Sequence, residues 1–313
     1  MNVLIVGSMA YDYIMNFSGR FSDRIMEDKI HSLSLSFLVD TLKKQFGGTA
    51  GNIAYSSQLL GVKPFIFSQG GNDFSPYKKF LKQKKISTKY IAEYTDVPMS
   101  SYFVVTDTAN NQIGSFYTGA IQYGDKHSLS SVKEKIDMVL IAPTNPRAMM
   151  KAVKECTVLQ IPYLFDPAFQ IAVFTPEELR EGIHNAKILI GNDYEIGLIE
   201  DRLEISHDEL ISSVPILVTT LGSKGSIIET RTESIHVKPA HVKKDLDPTG
   251  AGDAYRAGFI AGYLRGFPLH QCGQMGSVAA AYTVELYGTQ THEFTIKEYS
   301  KRYNENYYDN LQL

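Results

Sequence analysis

Asp247-Pro248-Thr249-Gly250-Ala251-Gly252-Asp253 runs directly into Ala254-Tyr255-Arg256-Ala257-Gly258-Phe259-Ile260-Ala261. The first four residues read as a turn, because proline fixes φ and glycine tolerates φ > 0. The residues after Asp253 read as a helix with small residues on its buried side. The turn therefore delivers two glycines and an aspartate to a helix N-terminus. Free N–H groups and the positive end of the helix dipole attract anions there, phosphate above all. Gly250 and Gly252 let a phosphate approach the backbone without meeting a Cβ. Asp253 stands in the first turn, where it either complements the dipole or takes a proton from a hydroxyl held beside the anion. An anion cradle with a carboxylate base is what phosphoryl transfer to an alcohol requires. The run lacks the Gly-Lys-Ser/Thr ending of a P-loop, and Tyr255 stands where a dinucleotide fingerprint needs its third glycine.

Composition sets the frame around this run. The chain has 313 residues, 43% of them hydrophobic, enough for one large α/β core with or without a small appendage. Net charge is −3 with both signs interspersed, and no basic cluster interleaved with aromatics marks a nucleic-acid surface. Cys156 and Cys272 lie far apart, so a reduced, cytoplasmic setting is expected rather than a disulfide framework. The first residues form a strand-like run, without the basic start and apolar core of a signal peptide. No window approaches the roughly 18 uninterrupted apolar residues of a membrane span. The eight histidines are scattered, which argues against a protein-held zinc site.

Residues 3–7 are a continuous apolar run, as in a buried parallel strand. Gly7 ends it, and Asp12 is expected in the loop beyond, at the sheet edge where ligands bind. There Asp12 either caps a turn or accepts hydrogen bonds from substrate hydroxyls. Alternation over Ile30–Phe37 predicts a half-exposed strand outside the main sheet. Phe46-Gly47-Gly48-Thr49-Ala50-Gly51-Asn52 leads into a helix that ends before Gly61. Ser100–Thr106 and Gln112–Thr118 predict a hairpin about Asn110-Asn111. From residue 137 strands and helices alternate, which argues a parallel sheet with helices on both faces. Thr175-Pro176-Glu177-Glu178, Asn192-Asp193-Tyr194-Glu195 and Thr295 to Glu298 all fit capping boxes. Ile216–Gly225 reads as a buried strand followed by a glycine turn.

These motifs resemble the PfkB, or ribokinase-like, family of small-molecule kinases, and the resemblance covers most of the chain. It implies a doubly wound, mostly parallel α/β sheet flanked by helices, as a single domain over 1–313. It also implies a small β lid built from segments near 13–46 and 98–120. By the same resemblance Gly250, Ala251 and Gly252 form the anion hole and Asp253 is the base. Asp12, Gly47, Gly48 and Asn52 would hold the acceptor. Asn192 and Glu195 match a motif associated with phosphate and Mg²⁺, the metal held largely through water. Thr220, Gly222 and Gly225 would line the ATP site, with Lys224 open. The loop Tyr287-Gly288-Thr289-Gln290 lies where the family flanks adenine and sometimes a monovalent cation.

The first-strand, glycine-pair and lid segments look most like microbial adenosine and nucleoside kinases. Phe116 is then the first candidate to stack on a base. The expected activity is ATP-dependent phosphorylation of a nucleoside 5′-hydroxyl, adenosine first. Free sugars such as ribose or fructose are the alternative acceptors, and a non-catalytic nucleotide sensor is the rival outside enzymes. No nucleic-acid or membrane partner is expected, and the protein would be a monomer or a homodimer.

Overall fold

The computed structural model describes residues 1–25, 35–109, 111–308 and 311–313. Its main sheet carries nine strands: β1 (Asn2–Val6), β4 (Lys63–Gly70), β5 (Ile91–Glu93), β8 (Met138–Ile141), β9 (Tyr163–Phe165), β10 (Ile188–Asn192), β11 (Ile216–Thr220), β12 (Ser226–Glu229) and β13 (Ser234–Val237). Their spatial order is β13-β12-β11-β10-β9-β8-β1-β4-β5. Neighbours from β11 to β5 pair in parallel, and β12 and β13 add an antiparallel edge. A second sheet, ordered β3-β2-β6-β7, is built from β2 (Ala10–Phe17), β3 (Val39–Gly47), β6 (Ser100–Thr106) and β7 (Gln112–Tyr117).

The period of the strands divides the core in two. Val3 and Ile5 point to one face of the main sheet, Leu4 and Val6 to the other. On the first face pack α1 (Thr49–Leu59), α2 (Ser75–Gln83), α7 (Ala251–Tyr263), α8 (Leu269–Val284) and α9 (Ile296–Tyr307). On the second pack α3 (Pro146–Leu159), α4 (Pro176–His184), α5 (Asp193–Leu203) and α6 (His207–Ser213). This is a doubly wound α/β fold with a small second sheet as a lid. The chain leaves β1 toward β4 on one side and returns to β8 on the other. The order thus reverses at β1, and the crevice beyond the strands' carboxyl ends opens there.

The three expected capping boxes are all formed, opening α4, α5 and α9. The hairpin of β6 and β7 stands where expected, although Asn110 lies outside the described residues. Two expectations about the lid are corrected. Asp12 is not in a loop: after a break at Gly7–Met9 the chain enters β2, so Asp12 is a strand residue of the lid. Of the stretch 30–37, residues 30–34 lie outside the described residues and 35–37 belong to no strand. The lid strand there is β3, whose Asp40, Thr41, Leu42, Lys43 and Lys44 are all exposed and show no apolar alternation. No described helix is long and apolar enough to cross a membrane.

Candidate active site

The β2 register puts Asp12 opposite Gln45 and Tyr102, on the inner lid face. Gly47 leaves the space that its carboxylate fills: a Cβ on Gly47 would lie 2.1 Å from Asp12 Oδ2. Gly48, with φ of 83°, caps α1 and turns the chain from lid to body. Asn52 projects from α1 toward α7, and its Nδ2 donates to Asp253 Oδ2 at 2.8 Å. The motif residues thus meet at the junction of β2, α1 and α7.

Gly250 is the N-cap of α7, with φ of 78°, and no side chain caps the helix. The Ala251 N–H donates to the Pro248 carbonyl at 3.1 Å. Among the described residues, the N–H groups of Gly250, Gly252 and Asp253 have no acceptor. The free donors of the expected cradle are therefore these three, and the Ala251 amide is engaged within the turn. Asp247 braces the loop from below, accepting from Thr249 N and Gly288 N, each at 3.0 Å.

Burial raises the Asp253 carboxyl to about 6, opposed by Arg256 and by the Asn52 hydrogen bond. Burial first, then the nearby charges of Asp253 and Asp247, raises Asp12 to about 7. No described residue hydrogen-bonds the Asp12 carboxylate, so its oxygens face the crevice unclaimed. A cleft of about 1020 Å³ continues from Asp12 between the inner lid face and loop 245–249, bounded by Ile14, Lys43, Tyr102, Asp247 and Tyr287.

Asp12 carries a stability prediction. Its folded carboxyl titrates near 7 against 3.8 when unfolded, so the native state binds the proton more tightly. The associated stability is complete below the unfolded value and is lost as pH rises through the folded one. Asp12→Asn removes this dependence. The variant is expected to be more stable than the wild type at pH 8 by about 4 kcal/mol, with a smaller margin at pH 5. Urea unfolding at the two pH values measures it, and a wild type as stable as the variant at pH 8 would contradict the reading.

The remaining predicted residues do not line this cleft; they lie at and just after the ends of β10 and β11 and on β7. Asn192 ends β10 and Thr220 ends β11 beside it, paired in register. Asn192 and Glu195 satisfy one another's backbone N–H at 2.8 Å each, one Glu195 oxygen being used. Glu195 is raised by burial and then lowered by its bond to Asn192, with Asp166 and Arg256 acting at longer range. Gly222 and Gly225 sit in the turn after β11, with φ of 58° and 93°, and Lys224 is exposed between them. Phe116 is on the inner lid face opposite Tyr102, 40% exposed, its ring 6.5 Å from that of Phe169. It is not among the residues that line the cleft beginning at Asp12.

Four site residues escaped the sequence reading. Arg256 grips Asp166 from α7, with Nη2 to Oδ1 at 2.8 Å and Nε to Oδ2 at 2.5 Å. An arginine on a helix face of small residues was the available signal, since a buried charge needs a buried partner. Gln290 and Tyr77 lie behind Asn52 and join it by hydrogen bonds. Gln290 lies in the loop 287–290 already singled out by the resemblance, without a role of its own, and nothing local in the sequence marks Tyr77.

A model of the pfkB family of carbohydrate kinases matches residues 2–295. The chain belongs to this family. It is a phosphotransferase of the pfkB type. The chain is 32% identical to a nucleoside kinase of Methanocaldococcus jannaschii, over 93% of this chain and 92% of that one. The nucleoside kinase of Burkholderia thailandensis in complex with inosine superposes with a TM-score of 0.91 at 32% identity, covering 98% of this chain and 99% of that one. Its ligand-free form superposes with a TM-score of 0.84 at 33% identity, over 96% and 99% of the two chains.

Proposed function

We propose that this pfkB-family member is an ATP-dependent nucleoside kinase that phosphorylates the ribose 5′-hydroxyl, with purine nucleosides, adenosine among them, as acceptors. The observation that carries the reading is the near-complete superposition on the inosine complex, together with two carboxylates, Asp12 and Asp253, converging beneath the lid. Asp12, with Gly47 and Gly48 behind it, binds the ribose hydroxyls. Asp253 accepts the proton of the attacking hydroxyl. The oxygen then bonds to the γ-phosphorus, the bond from phosphorus to the bridging oxygen breaks, and ADP leaves. The free N–H groups of Gly250, Gly252 and Asp253 take up the charge that grows on the phosphoryl oxygens. Thr220, Gly222 and Gly225 flank the nucleotide.

Among the described residues no group of three or more acidic, histidine or cysteine side chains could hold a metal. One unclaimed Glu195 oxygen suits a Mg²⁺ that keeps its waters and rides on the phosphates. When bound, such an ion neutralises phosphate charge. The two sheets act as one domain, with the smaller closing as a lid, and Phe116 offers a face for the base.

The test is ADP release from Mg-ATP with adenosine, inosine, cytidine, ribose and fructose. Turnover with the purine nucleosides, and at least about tenfold less with the sugars, is the expected outcome. Turnover with a free sugar alone would overturn the acceptor, and no turnover with any acceptor would overturn the activity.

A further inference from the structure

Behind the two reacting groups runs a chain of hydrogen bonds whose direction a backbone carbonyl fixes. Tyr77 O–H donates to the Gly47 carbonyl at 2.9 Å. A hydroxyl has one proton, so toward Gln290 Tyr77 can only accept. Gln290 must therefore turn its amide nitrogen to Tyr77, at 2.5 Å. The same Nε2 donates its second proton to Asn52 Oδ1 at 2.8 Å. With its oxygen thus claimed, Asn52 can only present N–H groups to Asp253, and Nδ2 donates to Oδ2 at 2.8 Å. Amide nitrogen and oxygen are hard to tell apart by shape, but here the carbonyl at one end decides every orientation.

The surroundings are shaped for this chain. Tyr77 is fully buried and Gln290 is 5% exposed. Gly51 leaves the room that both need: a Cβ there would lie 2.0 Å from the Tyr77 hydroxyl and 2.9 Å from Gln290 Nε2. Gln290 Oε1 is buried without a partner, a penalty the fold carries. The loop that bears Gln290 is tied back to the lid hinge, Thr289 Oγ1 donating to the Phe46 carbonyl at 3.0 Å.

We infer that Gln290 is a positioning residue that locks the Asn52 amide so that it donates to Asp253 rather than opposing it. This rests on the reading of Asp253 as the base. Asp253 is also faced by Arg256 on its own helix, by Asp166 from the end of β9, by Asp12 from β2 and by Tyr77 from α2. Arg256 stays in place in the variants below, so the change isolates the amide.

Gln290→Glu keeps the shape and reverses the polarity. A carboxylate accepts from Asn52 and turns the asparagine oxygen toward Asp253. The expected result is a loss in kcat of about 10- to 100-fold at pH 6, with the KM for ATP unchanged. The acid limb of the kcat–pH profile moves up by about one pH unit. In an Asn52→Ala background the same change is expected to lower kcat less than about twofold further. Tyr77→Phe, which removes the anchor but not the volume, moves the limb the same way by less. It serves if Gln290→Glu does not fold. A folded Gln290→Glu or Tyr77→Phe whose acid limb stays at the wild-type position would overturn the inference. Asp253→Asn separates the two failures. If that variant stays active, the base assignment is wrong. If it is inactive and the Gln290 limb does not move, only the positioning role is wrong.

Discussion

Asp253→Asn is expected to lower kcat by about 10²- to 10⁴-fold while leaving the acceptor KM within about threefold. The substitution keeps the side-chain shape, and its oxygen can still accept from Asn52 Nδ2, as Asp253 does at 2.8 Å. The cradle of free N–H groups and the Arg256–Asp166 pair stay as they are. What is lost is the ability to take a proton, so the deficit reads the chemical step. The wild type should show an acid limb, because a base raised to about 6 by burial is protonated below that pH. A second group near 7, Asp12, lies close enough to interact with it, so the free enzyme should titrate in two coupled steps. The activity therefore rises from pH 5 to 8 in the wild type. In Asp253→Asn a single step remains. ADP release from Mg-ATP and a nucleoside, across pH 5–9, measures both. A folded variant with kcat within tenfold of the wild type would remove Asp253 from the mechanism.

How far the sequence carried depended on the distance between partners. Local signals were reliable: the boxes at Thr175, Asn192 and Thr295 each need two residues three apart, and all formed. The strand–helix rhythm after residue 137 gave the parallel sheet. The lid was half legible. The β6–β7 hairpin announced itself by its turn. β2 alternates Tyr11, Tyr13, Met15 and Phe17 against Asp12, Ile14 and Asn16, yet Asp12 is expected in a loop because Gly7 closes the preceding run, and residues from 13 on are assigned to the lid only through the family resemblance. β3 gave no signal, because its exposed middle, Asp40 to Lys44, shows no apolar alternation.

Inside the site the same rule holds. The glycine motifs and Asp253 could be found because each is a contiguous run. The Asn52–Asp253 bond spans 201 positions, Gln290–Asn52 spans 238 and Arg256–Asp166 spans 90. Such pairs are products of topology: α1 must lie against α7, and β9 must end beside it, before any of them exists. Asn52 shows the consequence. Its match to the family motif points to the acceptor, and the links of its side chain to Asp253 and Gln290 could be seen only in the fold.

Asp166→Asn is expected to destabilise the protein by about 3–5 kcal/mol, the usual loss when one member of a buried ion pair is removed. Asp166 is 1% exposed and Arg256 is 7% exposed, so neither finds water when the other goes. Burial pushes the Asp166 carboxyl up, and the two-pronged contact with Arg256 opposes it. Asparagine preserves the shape but leaves the guanidinium charge buried and uncompensated. The guanidinium also lies directly under the anion cradle: a Cβ on Gly252 would stand 2.8 Å from Arg256 Nη1. The pair thus fixes a cation beneath the loop that receives the phosphoryl charge, with its own charge balanced until an anion arrives. Replacing both members, Asp166→Leu with Arg256→Met, should recover much of the stability, since a packed apolar pair of similar volume is about as stable as a buried ion pair. It should not recover activity, because the positive potential under Gly252 is gone and only the Asn52 hydrogen bond still opposes the burial that raises Asp253. The double variant would then have its acid limb above that of the wild type. Urea midpoints with an unchanged m-value measure the stability side. A loss under about 1 kcal/mol for Asp166→Asn would mean that water reaches the pair, and the cation beneath the cradle would then be screened.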